Sequence, residues 1–164
     1  MEQMYPIVIK RILQPLLLGL LVLTCIGGCR VDDAVSEIEL NTDWLFKSRK
    51  DTLWAKASVP GTVHTDLLSN GKIKDPYYRL NEHDVQWIDK LDWEYKTTFS
   101  LTEKDLSKQH IELDFLGLDT YSSIYLNDTL ILQTDNMFRS YAIEVKHLLT
   151  IGVNKLHIVF DSPI

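Results

Sequence analysis

Apolar and polar residues alternate through much of the second half of the chain, the pattern of strands that bury one face and wet the other. Trp93, Tyr95, Thr97 and Phe99 alternate with Glu94, Lys96 and Thr98, and Ile111, Leu113 and Phe115 with Glu112 and Asp114. Tyr141, Ile143 and Val145 make a third row, and Leu156, Ile158 and Phe160 a fourth. Between residues 121–126 and 129–133 stands Asn127-Asp128, residue types that tolerate the positive φ angles of a tight hairpin turn, so those two segments are predicted to pair. The period turns helical in two places. Residues 62–69 put Val63 and Leu67 one turn apart and stop at Asn70-Gly71. Further on, Asn81 is placed to cap a second short helix, with Asp84 in its first turn and Val85 and Ile88 on its apolar side. Neither helix is long enough to stand without packing on the sheets. Many short strands with few helices predict a β-sandwich. Pattern alone leaves immunoglobulin-like and jelly-roll strand orders both open.

The first residues read differently. Lys10 and Arg11 precede an apolar run, residues 12–26, that ends in Gly27-Gly28-Cys29, the layout of a secretory leader. Gln14 and Pro15 interrupt the run, which falls short of the roughly 20 apolar residues a spanning helix needs. Ile26-Gly27-Gly28-Cys29 resembles the lipobox of bacterial lipoproteins, cleaved before a lipidated cysteine; ordinary secretion with Cys29 as a spare thiol is the alternative. The expected division is a leader over 1–28, a short charged tether over 29–36 and one domain over 37–164. Only Cys25 and Cys29 are present, so cleavage before Cys29 would leave one thiol and no internal disulfide. A lipid on Cys29 would hold the domain at the cell envelope, at the outer membrane or the periplasmic face.

Composition is that of an ordinary globular protein, 45% hydrophobic and 24% charged. The net charge of −6 becomes −7 once Glu2, Lys10 and Arg11 are removed, and no basic stripe is present, so nucleic acid is not an expected partner. His83, His110, His147 and His157 are scattered without a zinc-ligand spacing, so no metal-binding residue or cofactor is assigned, while calcium held by backbone carbonyls and an Asp stays open. His64 and Asp66 lie two positions apart on the first helix and point to different faces, which predicts surface or capping roles rather than a catalytic pair. Among the tryptophans, Trp93 falls in an alternating row and is predicted to be core. Trp87 lies beside a polar loop and could offer a ring face to a sugar.

A series of motifs then points to a family. In order they are Trp44-Leu45-Phe46-Lys47, residues 59–68 (VPGTVHTDLL), Asp75-Pro76-Tyr77-Tyr78 with Asn81-Glu82, Val85-Gln86-Trp87-Ile88, Asp92-Trp93-Glu94-Tyr95, residues 117–121 (GLDTY) and Asp135-Asn136-Met137-Phe138-Arg139. The series closely resembles the N-terminal domain of glycoside hydrolase family 2 β-mannosidases. The resemblance implies an all-β, galactose-binding domain-like jelly-roll β-sandwich with two short helices, over nearly all of the chain after the leader. It also implies what to leave out: the family's two catalytic glutamates sit on a TIM barrel of about 250 residues, so no residue here is assigned a catalytic role and the chain alone is expected to be inactive.

The expected function is that of scaffold and pocket wall for an enzyme that removes terminal β-mannose. Asn81, Glu82 and Trp87 are the candidates to border a substrate pocket. Met137, Phe138 and Arg139 form either local packing or a docking surface for a neighbouring domain, with Phe138 as apolar anchor and Arg139 as charged clamp. The expected partners are a catalytic domain or downstream gene product, a mannose-containing glycan, and a membrane through the lipid anchor. Two alternatives stay open: a free-standing carbohydrate-binding lipoprotein at the cell surface, and the front half of a split hydrolase.

Overall fold

The alternating rows pair as expected. The structure, a computed structural model, describes residues 3–12 and 35–164. Its strands are β1 (Gln3–Met4), β2 (Ile7–Ile12), β3 (Ser36–Glu39), β4 (Leu45–Ser48), β5 (Ala55–Lys56), β6 (Gly61–Thr62), β7 (Trp93–Leu101), β8 (His110–Phe115), β9 (Ser122–Leu126), β10 (Thr129–Thr134), β11 (Tyr141–Glu144) and β12 (Gly152–Phe160). Helix α1 is Val63–Ser69 and α2 is Glu103–Leu106. One sheet runs β10-β9-β12-β7-β4-β5 and a second runs β11-β8-β2-β3, with a two-stranded patch of β1 and β6.

Phe46, Trp93, Tyr95, Ile124, Leu126, Leu156, Ile158 and Phe160 of the first sheet and Ile7, Ile111, Leu113 and Phe115 of the second are buried in one core. Each large apolar side chain so buried contributes about 1.5–3 kcal/mol. Ring contacts tie neighbouring strands: Phe46 lies 5.6 Å from Tyr95, and Tyr95 meets Phe160 edge-on at 5.9 Å. These features give the two-layer β-sandwich expected for the galactose-binding-like class.

Local chemistry explains the turns. Asn127 and Asp128 sit at φ of 49° and 66°, the left-handed pair that a two-residue hairpin needs, and β9 pairs with β10 across them. The register shifts between Leu130 and Leu132, a bulge at Ile131 that the alternation did not show. Helix α1 starts where expected: the Thr62 hydroxyl accepts from the Thr65 amide, and the Thr65 hydroxyl accepts from the Thr62 amide. Asn70 is the C-cap, and Gly71 follows at φ of 65°.

Two expectations are corrected. In place of a second α-helix, residues 81–90 form two 3₁₀ turns, Asn81–Val85 and Ile88–Lys90. Leu80 is the first cap and makes no side-chain bond; Asn81 lies inside the turn, its amide donating to the Asp75 carbonyl at 2.8 Å. The three-residue step from Val85 to Ile88 fits a 3₁₀ repeat as well as an α-helical one, which is why spacing alone misled. Asp66 is neither surface nor cap, being only 2% exposed.

The sequence sets residues 1–28 apart from the domain, whereas the structure places residues 3–12 in the sheets. Strand β2 lies between β8 and β3 and pairs with both. Ile7 is buried in the core, and its carbonyl accepts from the Leu40 amide at 3.0 Å. The apolar run, the lipobox and Cys29 lie outside the described residues. Among the described residues, no helix is long and apolar enough to cross a membrane.

Candidate functional site

One face of α1 and the loop that follows it enclose a cleft of about 420 Å³. Thr62, His64, Thr65 and Leu68 line it from the helix side, and Pro76, Tyr77, Glu82, Val85, Gln86 and Asp89 from the loop. The loop is held in shape by its own polar groups: the Asp75 carboxylate accepts from the Tyr77 amide at 2.9 Å, and the Gln86 amide donates to the Glu82 carbonyl at 3.0 Å. Behind the helix, Gly61 permits a close approach that no side chain would, since a Cβ there would collide with the Ser58 carbonyl.

Asp66 fastens α1 to the sheet from its inner face. Its carboxylate accepts from the Tyr95 hydroxyl and from the Ser58 amide, each at 2.9 Å. Burial pushes its pKa above the ordinary carboxylate value, against the opposing pull of those two hydrogen bonds. His64 lies on the other face and looks into the cleft. Burial lowers its pKa, with the Asp89 carboxylate acting in the opposite direction, so the imidazole is neutral at pH 7.

Two atoms of residues that line this cleft stand out: His64 Nδ1 and Asp89 Oδ1 are buried and have no hydrogen-bond partner. A buried polar atom left unpaired costs about 1–3 kcal/mol, so such atoms in a roomy cleft fit a polar ligand. A neutral imidazole nitrogen can donate or accept according to tautomer, and a carboxylate oxygen accepts. Together they suit hydroxyl groups. Leu68, Pro76, Tyr77 and Val85 supply apolar walls for the C–H faces of a ring.

Of the residues that the sequence singles out, Glu82 lines this cleft. Asn81 closes the loop behind it, and Trp87 is half exposed with its ring packed on Trp93, 6.3 Å between centroids. Trp93 is core as expected, its indole N–H donating to the Ile88 carbonyl at 2.9 Å. At the other candidate surface, the Asn136 side chain accepts from the Phe138 amide and turns the loop outward, leaving Phe138 88% exposed. Met137 is half buried, and Arg139 lies 6.0 Å from the Tyr141 ring.

Sequence reasoning missed His64 and Asp89 as cleft residues. The helical spacing of His64 and Leu68, four apart on one face, was the available signal. A second concavity, of about 350 Å³, was also missed. It lies on the outer face of the larger sheet, where Lys96 Nζ sits 3.9 Å over the Trp54 ring and His157 stacks on Tyr125. Among the described residues, no group of three or more His, Cys, Asp or Glu is placed to hold a metal.

The chain leaves the sandwich beside the first cleft. After β12, the Ser162 amide donates to the Asp92 carboxylate at 2.9 Å, and the Ser162 hydroxyl donates to the Asp89 carbonyl at 2.7 Å.

The chain belongs to the glycosyl hydrolase 2 galactose-binding domain-like family, which matches residues 44–164. It is 37% identical to β-mannosidase of Bos taurus over 149 residues, which are 91% of this chain and 17% of that enzyme. It is 37% identical to β-mannosidase B of Aspergillus niger over 134 residues, 78% of this chain and 16% of the other. The β-D-mannosidase structure from Dictyoglomus thermophilum superposes with a TM-score of 0.74 at 47% identity, covering 76% of this chain and 15% of that one. An exo-chitosanase from Amycolatopsis orientalis shares the fold, with a TM-score of 0.64 at 21% identity. The chain therefore spans only about a sixth of the length of the β-mannosidases it matches.

Proposed function

We propose that this chain is the non-catalytic wall of a β-mannosidase-like glycoside hydrolase, supporting a catalytic barrel and presenting the α1 cleft to a terminal β-mannose unit. The observation that carries the reading is that His64 and Asp89, which line one cleft, each hold a buried, unpartnered polar atom. In this reading they take sugar hydroxyls, Glu82 borders the same space, and Phe138 docks on the adjoining domain. The 88% exposure of Phe138 leaves its ring available to such a domain. An anchor through Cys29 at the cell envelope belongs to the same proposal and accounts for the lipobox sequence.

The test is to titrate mannose and mannobiose into the purified chain and assay a chromogenic β-mannoside, with and without the polypeptide carrying the barrel. Expected are weak saturable binding, at an affinity of about millimolar, and no turnover by the chain alone. Asp89→Asn and His64→Ala should each weaken binding about tenfold. Binding indifferent to both substitutions would overturn the cleft assignment. Turnover by the chain alone, lost in Glu82→Gln or Asp89→Asn, would overturn the non-catalytic role.

A further inference from the structure

The outer face of the larger sheet carries a cluster of side chains that the α1 cleft does not use. The alternation that sends Phe46, Tyr95 and Ile158 into the core turns Leu45, Lys96 and His157 outward. The register sets these three side by side on β4, β7 and β12, with Tyr125 of β9 next in the row. Trp54, in the loop ahead of β5, reaches over them: Lys96 Nζ lies 3.9 Å from its ring centroid, and the His157 ring meets it edge-on at 6.3 Å. Asp43, Asp128 and Lys155 complete the polar lining of the concavity of about 350 Å³. Its lining shares no residue with that of the α1 cleft. Thr98, also in the lining, stands about 20 Å along β7 from Asp92, the residue that holds the end of the chain, at a rise of about 3.3 Å per residue.

The polar groups of this concavity are preset and unspent. Among the described residues, the Lys96 and Lys155 ammoniums form no ion pair, and the Asp43 and Asp128 carboxylates accept no hydrogen bond. Lys96 is steadied by the indole face instead of an acid. The Trp54 indole N–H has no protein acceptor, whereas those of Trp44 and Trp93 donate to backbone carbonyls. His157 Nε2 donates to the Glu94 carboxylate at 3.1 Å, which leaves Nδ1 for another partner. An ammonium only donates and a carboxylate only accepts, while a hydroxyl does both. An anion would meet the two aspartates and a cation the two lysines, so a neutral ring bearing several hydroxyls is the ligand that can satisfy all four. Trp54 and Leu45 add apolar surface for its C–H groups. The volume falls at the lower end of the range for small-molecule pockets, about 300–1,000 Å³, which suits one sugar ring better than a long segment.

We propose that this concavity is a second carbohydrate site, separate from the α1 cleft, that takes one neutral hexopyranose unit of a glycan chain. Lys96 and Lys155 donate to its hydroxyls, and Asp43 and Asp128 accept from them. The site does not depend on what the α1 cleft binds.

The experiment follows the indole N–H resonances of the full 164-residue chain by NMR while the methyl glycosides of mannose, glucose and galactose, and separately glucuronate, are added. A saturable shift of the Trp54 resonance is expected with at least one neutral glycoside, at an affinity of about millimolar. Trp54→Ala, followed through the Lys155 amide, and the Asp43→Asn, Asp128→Asn double substitution should each weaken binding about tenfold, and Asp89→Asn should leave it unchanged. Both aspartates sit at positive φ, which asparagine tolerates, so the double variant decides should Trp54→Ala unfold. No shift with any neutral glycoside, a shift with glucuronate alone, or binding indifferent to the double substitution would overturn the proposal. Loss of the Trp54 shift in Asp89→Asn would overturn it too, by tracing the effect to the α1 cleft. A Trp54 shift that persists where the α1 cleft binds nothing supports this site and counts against the cleft alone.

Discussion

Replacing Asp66 by alanine tests how the cleft helix is held to the sheet. The carboxylate accepts one hydrogen bond from Tyr95 and one from Ser58 while only 2% exposed. Hydrogen bonds to a charged acceptor contribute about 1.5–3 kcal/mol each and are not additive when they share that acceptor. Removal also relieves the cost of burying a charge, so the expected net loss is about 2–4 kcal/mol. At a urea m-value of about 2 kcal/mol per molar, a 3 kcal/mol loss lowers the unfolding midpoint by about 1.5 M.

Asp66→Asn should lose less, because its carbonyl oxygen still accepts from the Ser58 amide and no charge is buried. The pH dependence has a definite sign. The folded pKa of Asp66 lies above its ordinary 3.8, so its contribution is fully present below that value and is lost as pH rises through the folded pKa. The stability of the unaltered chain relative to Asp66→Asn should therefore decline over that window. Urea titrations followed by tryptophan fluorescence at several pH values measure both effects. An Asp66→Ala chain within 0.5 kcal/mol of the parent, or an Asp66→Asn chain as unstable as Asp66→Ala, would refute the reasoning.

Two further outcomes are expected. Asn127→Ala should cost about 2–4 kcal/mol, since it places alanine at φ of 49° and removes bonds to the Leu148 carbonyl, the Asn154 side chain and the Lys155 amide. Asn127→Gly, which relieves the backbone strain, should cost about 1 kcal/mol less, with both read from urea midpoints. Phe138→Ser should leave the melting temperature of the chain unchanged, because the ring is 88% exposed, while weakening co-purification with the barrel polypeptide more than tenfold.

Much of the sandwich was legible because it rests on local alternation: the rows from Trp93, Ile111, Tyr141 and Leu156 became β7, β8, β11 and β12, and Asn127-Asp128 became the turn between β9 and β10. What escaped depends on distant partners. Residues 7–12 combine aliphatic and basic types that serve a leader's opening and a sheet strand alike, and only pairing with β8 and β3 reveals the second use. The motif resemblance found the loop around Glu82 but passed over Asp89, whose role comes from lying across the cleft from a helix twenty-five positions earlier, at His64. Offset along α1 correctly separated His64 from Asp66. It gave no indication which of the two faced inward, and the structure shows that Asp66 is the one that rivets the helix to the sheet.

The last turn of backbone carries a mechanical consequence. Ser162 grips the carbonyl of Asp89 and the carboxylate of Asp92, so the exit of the polypeptide and the wall of the cleft share one short linkage. A displacement of Ser162 would therefore be felt at the backbone that carries the Asp89 carboxylate, so the tail of the last strand and one side of the cleft are held as a unit.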